Sequence, residues 1–206
     1  MAKRTAVSRT TAGGVEVVYS VAISLDGFIA AEDGGVDWLH AAMVKGESYG
    51  LAEFHRSING VLIGRKTYEQ ALGMGGFRGS STPTWVFSRT LPASEKHALR
   101  ITAAAPRDIV AALPAHGVTR AWLMGGGLLA ASFLEEGLID EVSIAVMPVV
   151  LGSGIPLFGP LRSYASMELI ETKPYKGGAL GLRYRPVRRM APKTARQRSQ
   201  RDSLAP

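Results

Sequence analysis

The chain reads as an α/β sandwich with a mostly parallel sheet and an antiparallel edge. Three observations predict this. Short apolar, β-branched runs alternate with helical spacing over the first two thirds of the 206 residues. Two of those runs end in glycine where a helix begins, at Gly64 and at Gly125-Gly126-Gly127. The last third abandons the alternation for strands joined by a hairpin-type turn.

Residues 15–24, VEVVYSVAIS, are almost wholly apolar, as a strand covered on both faces requires. Asp26-Gly27 marks a turn, residues 32–35 a loop, and residues 36–39 a short apolar contact. Residues 47–58 have helical spacing, with Leu51, Phe54 and Ile58 on one face. Asn59-Gly60 ends that helix and opens a buried strand, 60–64, and residues 65–72 form the next helix. Strands follow at 84–88 and 100–103, then a helix at 106–115, a strand at 120–124 and a helix at 128–137. Residues 141–150 are a long apolar strand and 152–159 a loop. Strands at 167–173 and 179–185 pair across the Pro-Tyr-Lys-Gly-Gly turn.

Composition bounds the function. No cysteine is present, which excludes disulfides, a thiolate nucleophile and Cys-ligated zinc. The four histidines are scattered, and Glu32, Asp33 and Asp37 have no histidine at ligand spacing, so no metal is expected. No run reaches membrane-span length, and the N-terminal stretch lacks the apolar segment of a signal peptide, so a cytoplasmic protein is expected. The net charge of +7 sits at the ends: residues 1–14 carry +3 and residues 188–206 carry +5, leaving −1 for the body. These ends are expected to be a flexible basic arm and a disordered basic tail around one domain at 15–187. A near-neutral body makes nucleic acid an unlikely partner, since a binding stripe belongs on the folded part.

The glycine triplet raises a chemical question, because glycine costs stability inside elements. Residues 125–130 match the spacing of a dinucleotide-binding turn, yet they fall late in the chain with no acid at the end of the next strand. Alone, the match equally suits a tight strand-to-helix turn. A second junction, Gly64-Arg65-Lys66-Thr67, places two cations at a helix start, where they oppose the helix dipole unless an anion is there. A third, Ser88-Arg89, adds a hydroxyl and a cation at a strand end. Three such ends suit a ligand with several phosphates, and NADPH has a pyrophosphate and a 2′-phosphate.

SLDGFIA (24–30), VDWL (36–39), VLIGRKTYE (61–69), WVFSRT (85–90), WLMGGGLL (122–129) and residues 139–159 occur in an order that resembles the dihydrofolate reductase-like family. That family includes the reductase domain of the bacterial bifunctional deaminase-reductase of riboflavin synthesis, and the resemblance covers residues 15–186. It implies a three-layer αβα fold around a central, mostly parallel sheet with an antiparallel C-terminal strand, NADPH as cofactor and hydride transfer to a small heterocyclic or imine substrate, pterin- or pyrimidine-like. It further implies Ala22 and Ile29 beside the nicotinamide. Gly64, Arg65, Lys66 and Thr67 then hold phosphates, Ser88 and Arg89 face the 2′-phosphate, and Met124, Gly125, Gly126, Gly127 and Leu128 wrap the pyrophosphate. Relatives often pair, and residues 141–150 with the Pro-Leu-Phe-Gly segment offer a seam for a homodimer.

The chain departs from dihydrofolate reductases in two places. The carboxylate that those enzymes carry near the start of the helix matching 47–58 falls here on Ser48, Tyr49 or Gly50, and a supporting threonine falls on Ala145. Both losses argue against folate. Glu47 is the nearest acid. On a helix of about 100° per residue it would face the core side with Leu51, while Glu53 points away. Its plainer role is a first-turn acid, and that of Asp26, the other candidate acid, is its turn. Trp38, Leu51 and Phe54 are the candidate substrate-binding side chains. A cofactor-binding protein without turnover is the alternative reading.

Overall fold

A computed structural model describes residues 14–77 and 80–187, so the expected basic arm, save Gly14, and the expected tail lie outside the described residues. The centre is a nine-stranded sheet in the order β10-β11-β8-β1-β7-β3-β4-β6-β5. Strands β8 (Glu141–Val146), β1 (Glu16–Ile23), β7 (Arg120–Gly125), β3 (Gly60–Gly64), β4 (Thr84–Phe87) and β6 (Leu99–Thr102) run parallel. The hairpin β10 (Met167–Pro174) and β11 (Leu180–Pro186) closes one side antiparallel, and β5 (Ser94–Lys96) closes the other. A separate pair, β2 (Phe28–Ala30) with β9 (Ile155–Pro156), folds over the sheet's end.

Alternation along the strands sorts the helices. Val61 and Ile63 of β3 face a cluster with Tyr68 and Leu72 of α3 (Arg65–Gly73). Leu62 and Leu123 face the opposite cluster, with Val110 of α4 (Pro106–Ala112) and Ala130 and Phe133 of α5 (Gly127–Glu135). β1 lies between covered faces, with Val17, Val18 and Tyr19 all fully buried, as its unbroken apolar run requires. Rightward and leftward crossovers thus use different faces, the arrangement that right-handed connections impose.

Several boundaries differ from the sequence reading, each for a local reason. The strand expected at 141–150 stops at Val146, because Pro148 cannot donate to a ladder. The helix expected at 106–115 breaks into α4 and a 3₁₀ turn, Leu113–His116, at Pro114. The helix expected at 47–58 is α2 (Leu51–Ser57), because Tyr49 (φ 49°) and Gly50 (φ 73°) adopt left-handed backbone. α1 (Asp37–Ala42) is a short extra helix ahead of it. Among the described residues no helix is long and apolar enough to cross a membrane.

Candidate functional site

β3 and β7 are neighbours, but α3 leaves β3 toward one face and α5 leaves β7 toward the other. Their tips part into a crevice, the position where open α/β sheets hold ligands. Its walls are main chain. A Cβ on Gly64 would stand 3.4 Å from the Gly125 carbonyl oxygen, and one on Gly126 would stand 3.3 Å from Thr67 Oγ1 and 3.9 Å from Ile29 Cδ1. Neither α3 nor α5 has a side-chain cap, so their first-turn N–H groups are left to bind whatever enters the crevice.

Each glycine of the triplet has its own reason. Gly125 has φ +109°, which disfavours any side chain, and its peptide bond to Gly126 is cis. Gly126 borders the crevice. Gly127 is packed shut: a Cβ there would run into the Pro156 carbonyl oxygen, and its own carbonyl accepts the Gly159 N–H at 2.9 Å. Tyr19 supports the turn from below. Its hydroxyl donates to the Leu157 carbonyl at 2.6 Å and its ring meets Phe158 edge-on at 5.3 Å. Burial pushes this phenol up, so it stays a donor.

The side chains around the crevice divide. Arg65 Nη1 pairs with both carboxylate oxygens of Glu69, at 3.0 and 2.9 Å, so much of its charge is answered within α3. Lys66 and Arg89 are exposed. Ser88 is buried and caps its own turn, its Oγ accepting N–H groups from Thr90 at 3.2 Å and Leu91 at 2.9 Å. The Met124 side chain packs into the α3-side cluster, so only its main chain borders the crevice, and Leu128 points to solvent at 77% exposure.

Beside the crevice, α1, α2 and the preceding loop roof a cavity of about 510 Å³ over the α2-side face of β7, β1, β8, β11 and β10. Ala22, Leu51 and Phe54 line it, as do Leu39, Met43, Tyr49, Trp122 and Tyr175. Phe54 meets Trp122 edge-on at 5.5 Å, and the Trp122 indole is fixed by donating to the Ser20 carbonyl at 2.8 Å. At the strands' N-terminal end Arg183 grips Glu141 through Nε at 2.9 Å and Nη2 at 2.8 Å, and reaches Glu171 at 2.6 Å. Those carboxylates, Glu141 first, push the Arg183 guanidinium up and keep it charged.

Three expectations need correction. Glu47 lies in the loop before α2, outside the cavity lining. Its carboxylate accepts the Lys176 N–H at 3.2 Å and the Ser48 N–H at 2.9 Å, and these donors, that of Lys176 foremost, lower its pKa. The helical projection failed because the helix does not extend back to it; Glu53, expected to point away, borders the cavity. Asp26 is likewise engaged: the Ser24 hydroxyl, then the Gly152 and Leu151 N–H groups, hold it down at about 2 against desolvation. It is a strut between the β1–β2 turn and the segment after β8. Trp38 is absent from the lining; α1 starts at Asp37 and turns Leu39 and, four residues on, Met43 inward instead.

Tyr49, Tyr175, Lys173 and Arg183 were not foreseen. The one signal for them was Gly181 within an otherwise strand-like run, a mark of close approach by another group.

A three-layer fold with a backbone crevice at its strand tips and a solvent-open cavity alongside defines a reductase-type fold of the dihydrofolate reductase kind. The chain belongs to the RibD C-terminal domain family, whose profile matches residues 72–180. The uncharacterized protein YwjB of Bacillus subtilis (strain 168) is 35% identical over 170 residues, covering 82% of this chain and 97% of YwjB. The crystal structure of a "Putative riboflavin biosynthesis protein" from Shewanella sp. PV-4 superposes with a TM-score of 0.75 at 30% identity, over 84% of this chain and 100% of that one. Enterococcus faecalis dihydrofolate reductase, solved with NADP(H), shares the fold at a TM-score of 0.58 and 16% identity, over 85% of this chain and 99% of its own.

Proposed function

We propose that the protein is an NADPH-dependent reductase that transfers a hydride to a small heterocyclic or imine substrate, pterin- or pyrimidine-like. One observation carries the reading: two uncapped helix starts meet across glycine backbone, directly beside a cavity floored by small side chains. The residues present fit a dinucleotide. Main-chain N–H groups at the starts of α3 and α5, with the Thr67 hydroxyl, suit a pyrophosphate, and any side chain at Gly126 would crowd that space. Lys66 and Arg89 are the exposed cations suited to the further phosphate, and Ala22 and Ile29 lie on the side assigned to the nicotinamide. Bound there, NADPH supplies the hydride; the chain's part is to orient and to neutralise.

Glu47 and Asp26 spend their oxygens on backbone donors and hold no proton to give near neutral pH. In this reading the proton comes from water rather than from either of those two acids, admitted where Leu51 is 46% and Met43 36% exposed. The same observation motivates the second reading, a cofactor-binding protein that does not turn over.

Calorimetric titration with NADPH and NADH tests the cofactor assignment. Arg89→Ala should weaken NADPH about ten-fold and leave NADH nearly unchanged, because a charge-assisted contact to the extra phosphate is lost. Equal losses would show that Arg89 does not face that phosphate. NADPH oxidation against a panel of pterins, pyrimidines and quinones separates the two readings: turnover of any one supports the reductase, and tight binding with no turnover supports the second.

A further inference from the structure

The cavity floor is ordered in rows. Ala22, Ala145, Gly181 and Lys173 stand in register across β1, β8, β11 and β10. Ser20, Ser143, Arg183 and Glu171 form the next row. All eight border the cavity. The first row is a shelf with almost no side-chain height until its last member. Gly181 is bare because an aromatic ring occupies its place: a Cβ there would stand 2.8 Å from Tyr175 Cε2. The Tyr49 ring packs on Tyr175 at 5.2 Å, and the Tyr175 hydroxyl donates to the Tyr49 carbonyl at 3.1 Å, so the wall is fixed at two points.

Lys173 ends the shelf, with its Nζ 5.2 Å from the centre of the Tyr175 ring. The acids around it are already engaged. Glu141 and Glu171 bind Arg183, and Glu53 pairs with Arg56 at 3.5 Å. Among the described residues Lys173 has no carboxylate within salt-bridge distance. An ammonium held over an aromatic face at the end of a flat shelf is a receptor for an anion attached to a planar group.

We propose that Lys173 determines substrate specificity by gripping an anionic substituent, carboxylate or phosphate, of a flat-ring substrate that lies along Ala22, Ala145 and Gly181 against Tyr175. The proposal rests on the reductase reading, which places the cofactor's reactive end at Ala22. Strands lie roughly 4.8 Å apart, so the row spans about 14 Å from Ala22 to the Lys173 backbone. The anion therefore marks the end of the substrate remote from the reacting carbon.

The test is calorimetry on the NADPH-loaded protein with two matched pairs of probes, orotate against uracil and uridine 5′-monophosphate against uridine. The expected result is about a ten-fold preference for the charged member of at least one pair. A preference in the first pair alone assigns a carboxylate, and in the second alone a phosphate. Lys173→Gln should abolish the preference without changing affinity for the neutral probe or for NADPH, and Lys173→Arg should restore it. Equal binding of charged and neutral probes, no binding by any of the four, or a preference that survives in Lys173→Gln overturns the proposal while NADPH binding stands. Failure of NADPH itself to bind the wild-type protein overturns the reductase reading instead.

Discussion

The crevice at the tips of β3 and β7 and the cavity under α2 adjoin, yet they are made differently. The crevice is main chain: Gly64, Gly125 and Gly126 bring backbone together, and two helix starts without side-chain caps face it. The cavity is side chain, gathered from five strands, two helices and three loops. A site of the first kind is written in contiguous sequence, because a strand, a glycine and a helix start are neighbours in the chain. A site of the second kind depends on which residues stand opposite across strands far apart in sequence, and on where short helices begin.

The largest expected effect lies in the packed turn behind the crevice. Gly127→Ala forces a methyl against the Pro156 carbonyl and should cost at least about 2 kcal/mol of stability, the usual penalty for overpacking. Thermal unfolding should show a fall of roughly 5 °C or more in Tm. A variant as stable as wild type would mean that the 155–159 segment yields and that the triplet is not held by packing. In the cavity, by contrast, Lys173→Gln should leave Tm unchanged and alter probe affinity alone, since Lys173 is exposed. That contrast separates a residue that builds the fold from one that reads a ligand.

The smallest effect concerns the strut behind both regions. Asp26 sits at about 2, below an ordinary carboxylate, so its contribution is full above the unfolded value near 4 and is lost as pH falls through 2. Asp26→Asn should lower Tm modestly at neutral pH, and the gap to wild type should close between pH 4 and pH 2. A gap that persists at pH 2 would mean the charge is not what holds Leu151 and Gly152.

The difference in construction also explains what could be read in advance. The mostly parallel sheet follows from apolar periodicity, the C-terminal hairpin from its turn residues, the glycine junctions from their spacing, and the three layers from the ordered motifs that carry the family resemblance. The two-residue β9 and three-residue β2 and β5 escaped because runs so short carry no periodicity. Glu47 was misplaced because nothing local announces that Tyr49, a non-glycine, adopts a left-handed backbone and delays α2. Trp38 was misplaced because residues 36–39 read as a short apolar contact, while they open the helix α1, which turns Leu39 inward. The row from Ala22 to Lys173 was invisible because its members are as much as 159 positions apart and meet only through strand register.

Hydrogen exchange with and without NADPH tests the central claim most directly, because it watches the main-chain N–H groups themselves. Saturating NADPH should slow exchange at least ten-fold at residues 65–67 and 127–129 and leave α4 unaffected. NADPH bound with those amides still exchanging at their free rate would contradict the account.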